Sequence, residues 1–244
     1  MTQRLNEYGQ PIGEPVDGWT PRARPEAVVL TGTRCRIEPL DAARHANDLF
    51  LAWGNAPDRR DWTYLGVGPF EQAEDFRRYI EAAAHSTDPR HYAVIDLKTG
   101  RAVGSLALMR QDPANGVIEV GHVTFSPLLK RTPVSTEAQF LLMAYVFDTL
   151  GYRRYEWKCD SCNVPSRTTA ARLGFTFEGI FRQAIVYKGR NRDTAWHSIV
   201  DAEWPPLKRA FATWLAEGNF DAAGRQRAGL AELRAREAGG ASGA

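Results

Sequence analysis

Val117-Ile-Glu-Val-Gly-His-Val-Thr-Phe125-Ser, then Pro127-Leu-Leu-Lys-Arg131-Thr-Pro-Val-Ser135, then Thr136-Glu-Ala-Gln-Phe-Leu-Leu-Met-Ala-Tyr145 is the run that decides the fold. Its first part is β-branched and aromatic, reads as a strand over Val117–Phe125, and carries one carboxylate, Glu119. Its last part repeats apolar residues at helical spacing (Phe140, Leu141, Tyr145 and Ala144 to Phe147), with Ser135 or Thr136 as the expected N-cap. A short basic connection joins the two. A strand entering a helix through such a turn leaves backbone N–H groups unpaired beside Lys130 and Arg131, a place suited to a phosphate or diphosphate. An ordinary crossover with a solvated Lys-Arg pair would read the same way, so the surrounding order of elements has to decide.

Working outward, 244 residues with 43% hydrophobic and 25% charged side chains fit one large domain with extra segments. A net charge of +2 is too mild for a general nucleic-acid binder, and no run of Lys and Arg forms a track. The polar N-terminus has no apolar signal region and no apolar run is long enough for a bilayer, so the expectation is a soluble cytoplasmic protein with no membrane partner. Three cysteines are too few for a disulfide scaffold. Cys159-Asp-Ser-Cys162 has no second ligand pair, so it reads as two half-buried thiols at a strand end, with no metal.

Residues 1–25, rich in Gly, Pro, Arg and Glu, read as an arm on the domain or on a partner subunit, a homodimer being open. Val28–Leu30 and Cys35–Ile37 form a first hairpin, and Asp41 caps a helix through about Trp53. Asn55–Phe70 is a long connection carrying Trp62 and Tyr64, which wall a substrate or pack on the core. A second helix spans about Glu71–Ala84. The strands His91–Leu97 and Ala102–Arg110 follow, and Gln111–Gly116 turns into Val117–Phe125. The next helix runs to Leu150, ended by Gly151; then come the strand Tyr155–Asp160 and a short helix from Asn163 to Leu173-Gly174. Phe175–Arg182 and Thr194–Asp201 pair across a polar turn at 188–193. Helices at Pro205–Leu215 and within Asp221–Glu237 form a C-terminal extension (205–237), and 238–244 reads as a disordered tail. The expected class is α/β (α+β): a mixed, mostly antiparallel sheet flanked by helices in a single domain over 26–204.

This order, with the segment Asn163-Val-Pro-Ser166-Arg-Thr-Thr-Ala-Ala-Arg-Leu173-Gly174-Phe175, resembles the RimJ/RimL-like branch of the GNAT superfamily of acyl-CoA-dependent N-acetyltransferases. Lys188-Gly189-Arg190, Asp193-Thr194, Ser198 and Glu203-Trp204 are similar to that branch's closing hairpin, and the likeness covers about Leu30–Trp204. It implies acetyl-CoA as co-substrate and, as acceptor, a protein or peptide N-terminus or a small amine. The family's diphosphate turn is R/Q-x-x-G-x-G/A; aligned on Arg131, this chain has Val134 and Thr136 where the glycines stand. Either the turn binds CoA with another backbone shape, borrowing the Ser135 and Thr136 hydroxyls, or CoA binding is weakened or lost. Phe125, Lys130, Arg131, Asn163, Ser166 and Arg167 complete the CoA-binding set that the resemblance implies.

Acetyl transfer to an amine needs a base, an oxyanion donor and care of the departing thiolate. Glu119, the one carboxylate in an apolar strand, is the candidate base, since burial raises a carboxyl pKa; a structural ion pair is the alternative. By resemblance, a backbone amide of the 117–125 strand serves the oxyanion, Ser166 faces the CoA sulfur and Asn163 bonds the pantetheine arm. A first-turn serine bonding its own backbone is the other reading of Ser166. Trp62, Tyr64, His122 and Tyr187 are candidate acceptor contacts; by strict alternation His122 and Glu119 face opposite ways and only one can line the cleft. A binding module that keeps the fold without catalysis is the reading from another class.

Overall fold

A computed structural model describes residues 4–240. Eight strands form one sheet in the order β1-β2-β3-β4-β5-β6-β8-β7. They are β1 (Leu30–Thr31), β2 (Cys35–Pro39), β3 (Arg90–Asp96), β4 (Arg101–Asp112), β5 (Val117–Phe125), β6 (Arg154–Asp160), β7 (Thr176–Tyr187) and β8 (Arg190–Val200). The helices are α1 (Ala42–Gly54), α2 (Ala73–His85), α3 (Pro133–Ala144), α4 (Val164–Leu173), α5 (Trp204–Leu215) and α6 (Leu230–Gly240). Neighbouring strands run antiparallel except β5 and β6, which are parallel because α3 lies between them in the chain and carries it back to the starting edge. The mixed, mostly antiparallel sheet flanked by helices is therefore as the sequence implies. No helix among the described residues is long and apolar enough to cross a membrane.

Strand alternation sorts the two faces. Ile118, Val120, Tyr155, Trp157, Ala195 and Ile199 point to the side where α3, α4 and α5 pack, in the larger apolar core. Ala93, Ile95 and Ala102 point the other way, under α1 and α2, where Leu49, Trp53, Phe76 and Ile80 form a second core. Asp41 caps α1, its side chain accepting from Arg44 N at 3.0 Å. The polypeptide before β1 lies on the domain from Trp19 onward: the Trp19 indole donates to Ala114 O at 2.8 Å and covers Gly116, and Tyr152 OH donates to Ala23 O at 3.1 Å.

Several boundaries differ from the sequence reading. The N-cap of α3 is Thr132, ahead of Ser135 and Thr136, because Pro133 fits the first helical position, where no N–H is needed. Its most buried apolar residues are Ala138, Leu142 and Met143, with Phe140 and Leu141 only half-buried, and the helix widens into a π-turn at Tyr145–Thr149 before Gly151. Strands β7 and β8 extend to a two-residue turn, Lys188-Gly189, both with positive φ (49° and 68°), so residues 190–193 belong to the ladder. Within Asp221–Glu237 only the part from Leu230 is helical. That helix continues to Gly240, so 238–240 are not a tail; the rest of the stretch read as a tail lies outside the described residues. Leu230 and Leu233 enter the larger core, and Arg234 donates to Ala171 O at 2.7 Å, satisfying the C-terminal end of α4.

Candidate active site

The site begins where the parallel ladder ends. β5 and β6 pair from Val117↔Arg154 to Val120↔Trp157 and then part, each staying with its outer neighbour, β4 or β8. The parting opens a cleft of about 420 Å³. A bulge shapes its β5 wall: Ser105 pairs with Thr124 but Ala107 with Gly121, so three steps on β5 oppose two on β4, and His122 takes a left-handed φ of 47°. The extra residue resets the alternation. Both Glu119 and His122 therefore line the cleft, against the expectation that only one could. A Cβ on Gly121 would lie 2.3 Å from Met109 Sδ, so a substitution there requires the flexible Met109 side chain to move.

Glu119 is 5% exposed, and it is not alone. Its Oε2 lies 3.1 Å from Lys158 Nζ and 3.2 Å from Arg110 Nε. Lys158 is equally buried, sits 2.6 Å from Glu156 Oε2 and stands 3.7 Å over the Trp196 ring. Burial pushes the Glu119 carboxyl upward, and the cations Lys158 and Arg110 oppose without reversing it. The ion-pair reading of Glu119 is thus the one seen in the structure, with the carboxyl pKa still raised by burial. Lys158, Arg110 and Trp196 went unnoticed in the sequence; the signal was Glu156-Trp157-Lys158, charges at every second position of a strand otherwise reading as core.

Opposite stands the start of α4. Asn163 Oδ1 accepts from Ser166 N at 3.2 Å, capping the helix. Ser166 Oγ accepts from Trp157 Nε1 at 2.9 Å and lies within hydrogen-bonding reach of the Cys159 thiol, so its hydroxyl is held by a neighbouring strand. Both residues line the cleft. Arg167 does not: it donates to Ser161 O at 3.3 Å and lies 5.5 Å from the Phe177 ring centre.

The turn into α3 follows β5 in the chain and lies outside the lining of the cleft. Lys130 pairs with Asp61 at 2.5 Å and stands 5.4 Å over the Trp53 ring. Arg131 is exposed in a left-handed conformation (φ 60°) and makes no ion pair among the described residues. The expected use of the Ser135 and Thr136 hydroxyls is corrected. Ser135 Oγ donates to Thr132 O at 2.7 Å, and Thr136 Oγ1 accepts from Arg172 at 3.0 Å in the interior. Val134 leans on the core beside Phe125, so neither replacement for glycine covers the turn. The N–H groups of Arg131, Thr132 and Val134 find no acceptor among the described residues.

Of the four candidate acceptor contacts, Tyr64 and His122 line the cleft, Tyr64 OH donating to Cys162 O at 3.2 Å. Trp62 does not: it is 6% exposed, 4.6 Å from the Trp53 ring centre and edge-on to Phe70, because the loop folds it under α1 and α2. Tyr187 stands behind the wall, its hydroxyl donating to Asp160 Oδ2 at 2.7 Å; burial, with Asp160 beside it, pushes its pKa up to about 12. Lys188 Nζ donates to Trp62 O at 2.8 Å and ties the hairpin to that loop. Cys159 is buried and Cys162 exposed, and no metal-holding group of His, Cys, Asp or Glu exists among the described residues.

Comparison with known proteins agrees with this geometry. The model of the acetyltransferase (GNAT) domain family matches residues 34–176. The chain is similar to the crystal structure of a GCN5-related N-acetyltransferase from Brucella melitensis, at 51% identity and a TM-score of 0.89, covering 90% of this chain and all of that one. It is also similar to a structure from Chromobacterium violaceum described as a GNAT-family acetyltransferase, with 40% identity, TM-score 0.74 and 80% and 97% coverage. Among named relatives, YdaF of Bacillus subtilis, whose name provisionally makes it a ribosomal N-acetyltransferase, is 26% identical over 174 residues, 69% of this chain and 90% of its own. A strand pair parting beside a donor-rich helix start, in a chain that these relatives match over most of its length, makes this protein a member of the GNAT acetyltransferase family.

Proposed function

We propose that this acetyltransferase moves an acetyl group from acetyl-CoA to a primary amine by direct attack, with both substrates bound together where β5 and β6 part. The carrying observation is the turn into α3: three N–H groups without acceptors, at a helix N-terminus beside the unpaired Arg131, form a donor set suited to a diphosphate. Glycine is dispensable there because the side chains at 134 and 136 turn inward.

Acetyl-CoA, when bound, supplies a thioester carbonyl open to an amine. Glu119 takes the proton of the incoming ammonium, directly or through a water, and burial has already moved its pKa toward the value that task needs. An N–H freed from the ladder by the bulge at His122–Val123 donates to the carbonyl oxygen as charge gathers on it. Ser166 hydrogen-bonds the sulfur as the C–S bond breaks and the C–N bond forms, the second proton of the nitrogen passing to the departing thiolate. Its hydroxyl is a poor acid, so hydrogen bonding is its share of the work.

Calorimetry with acetyl-CoA, followed by thiol release over a panel of amines, tests the proposal. Binding at one site and thiol release dependent on an amine are expected. Absence of heat would remove the coenzyme from this turn, and heat without turnover on any amine would leave only a binding module.

A further inference from the structure

The β8 wall of the cleft contains buried polar atoms that no part of the protein satisfies. Arg192, Thr194 and Trp196 alternate on one face of β8 and all line the cleft. Arg192 Nε, Thr194 Oγ1 and Trp196 Nε1 are each buried without a hydrogen-bond partner among the described residues. Thr194 as a whole is only 3% exposed. The guanidinium of Arg192 has no carboxylate within ion-pair distance among those residues; it lies 6.0 Å from the Tyr187 ring centre.

The other charged groups of the cleft are already engaged, Asp160 by neutral donors alone. Lys158 and Arg110 serve Glu119, and the Asp160 carboxylate accepts from Tyr187 OH and Cys162 N. What remains is one cation, one indole N–H that can only donate, and one hydroxyl that can donate. Such a set calls for acceptor-only oxygens, and a carboxylate supplies them together with the charge that Arg192 lacks. An ammonium placed by Glu119 and a carboxylate held by β8 then belong to one small molecule.

We propose that the acceptor is a carboxylate-bearing amine of amino-acid type, its carboxylate held by Arg192, Thr194 and Trp196. This rests on the acetyl-transfer reading above. A peptide N-terminus offers a neutral carbonyl at the same place and leaves Arg192 without a countercharge; an acidic side chain on the peptide is the other source of the carboxylate.

The test measures thiol release by the wild-type protein with acetyl-CoA over free amino acids, their amides, the matching amines without a carboxyl group, and peptides with neutral or acidic second residues. The best amino acid should exceed its own amide roughly tenfold or more in kcat/KM, as loss of a charged hydrogen bond requires. Arg192→Gln should bring the acid-to-amide ratio toward one and Arg192→Lys should restore part of it. Amides or simple amines turned over as fast as the acids would overturn the carboxylate subsite while acetyl transfer stands. So would acids that are never acetylated by a protein that binds acetyl-CoA. A preference confined to peptides with an acidic second residue would overturn the small-molecule part. No heat from acetyl-CoA is a different failure, that of the acetyl-transfer reading itself.

Discussion

The same face of the sheet meets two different fates along its width. Over β2–β4 it is covered by α1 and α2, and the layer between is largely apolar (Trp53, Trp62, Phe76, Ile80, Ala93 and Ala102), with one buried polar pair, Glu38 and His45, at its β2 end. Over β5, β6 and β8 no helix among the described residues covers it, and the equivalent positions carry Glu119, Glu156, Lys158, Asp160, Thr194 and Trp196. Glu119, Glu156, Asp160 and Thr194 are nearly as buried as the first set, and Phe181, Ala184 and Ile185 of β7 line the same cleft. Hydrophobic burial closes one half of the face, while charge keeps the other half from collapsing shut. A cleft that must take an amine, and release it acetylated, needs a floor of that second kind.

The comparison is tested first on the charged side. Glu119→Gln keeps the shape and removes the proposed base, so kcat should fall about a hundredfold to ten-thousandfold. Because burial raises the Glu119 pKa, wild-type kcat/KM should climb with pH through that raised value, where the deprotonated form becomes the majority. The Gln variant should lose that limb. Full turnover in Glu119→Gln would make the residue a structural anchor for Lys158 and nothing more.

On the apolar side, Trp62→Ala should cost about 3–5 kcal/mol of stability. The acetyl-CoA affinity and acceptor KM of whatever remains folded should hardly move. A denaturant titration with steady-state kinetics separates the outcomes; a changed KM at full stability would return Trp62 to the acceptor wall. Lys158→Met is the counterpart across the divide. It leaves Glu119 and Glu156 buried near each other with their shared cation gone, a loss of about 3–5 kcal/mol if nothing else neutralises them. Arg110 and Arg154 remain to offset part of it, so a value below the Trp62→Ala loss is expected. Stability should recover partly as pH falls and Glu119 takes up a proton, which Trp62→Ala would not do.

How much of this was legible beforehand follows the same divide. Strand and helix order came from periodicity, and Asp41, Asn163 and Gly174 mark helix ends through local hydrogen bonds or left-handed backbone that a few adjacent residues determine. Glu119 stood out because a lone carboxylate in an apolar strand is conspicuous. Lys158 and Arg110 were invisible as its partners, since their distance from Glu119 depends on the register of β5 against β6 and β4, which no local pattern fixes. The His122 error had the same origin. A bulge is a property of the pair of strands, so counting by twos along β5 alone gave the wrong side. For Trp62, the loop's aromatic content fitted a wall and a core equally well, and only the position of α1 and α2 decides between them.

The smallest effect concerns the turn into α3. Thr132 caps α3 with its hydroxyl and so shapes the backbone that carries the unpartnered N–H groups. Thr132→Ala should cost about 1 kcal/mol of stability, the usual worth of such a cap. Its effect on the coenzyme should be larger in proportion, because a frayed first turn no longer presents the N–H groups of Thr132 and Val134 together. KM for acetyl-CoA should then rise while kcat at saturation and the acid-to-amide preference stay as they were, since Glu119, Ser166 and the β8 wall are untouched. Equal loss in both parameters would mean that the turn and the charged floor are one coupled unit, and the division of labour drawn across this sheet would have to be redrawn.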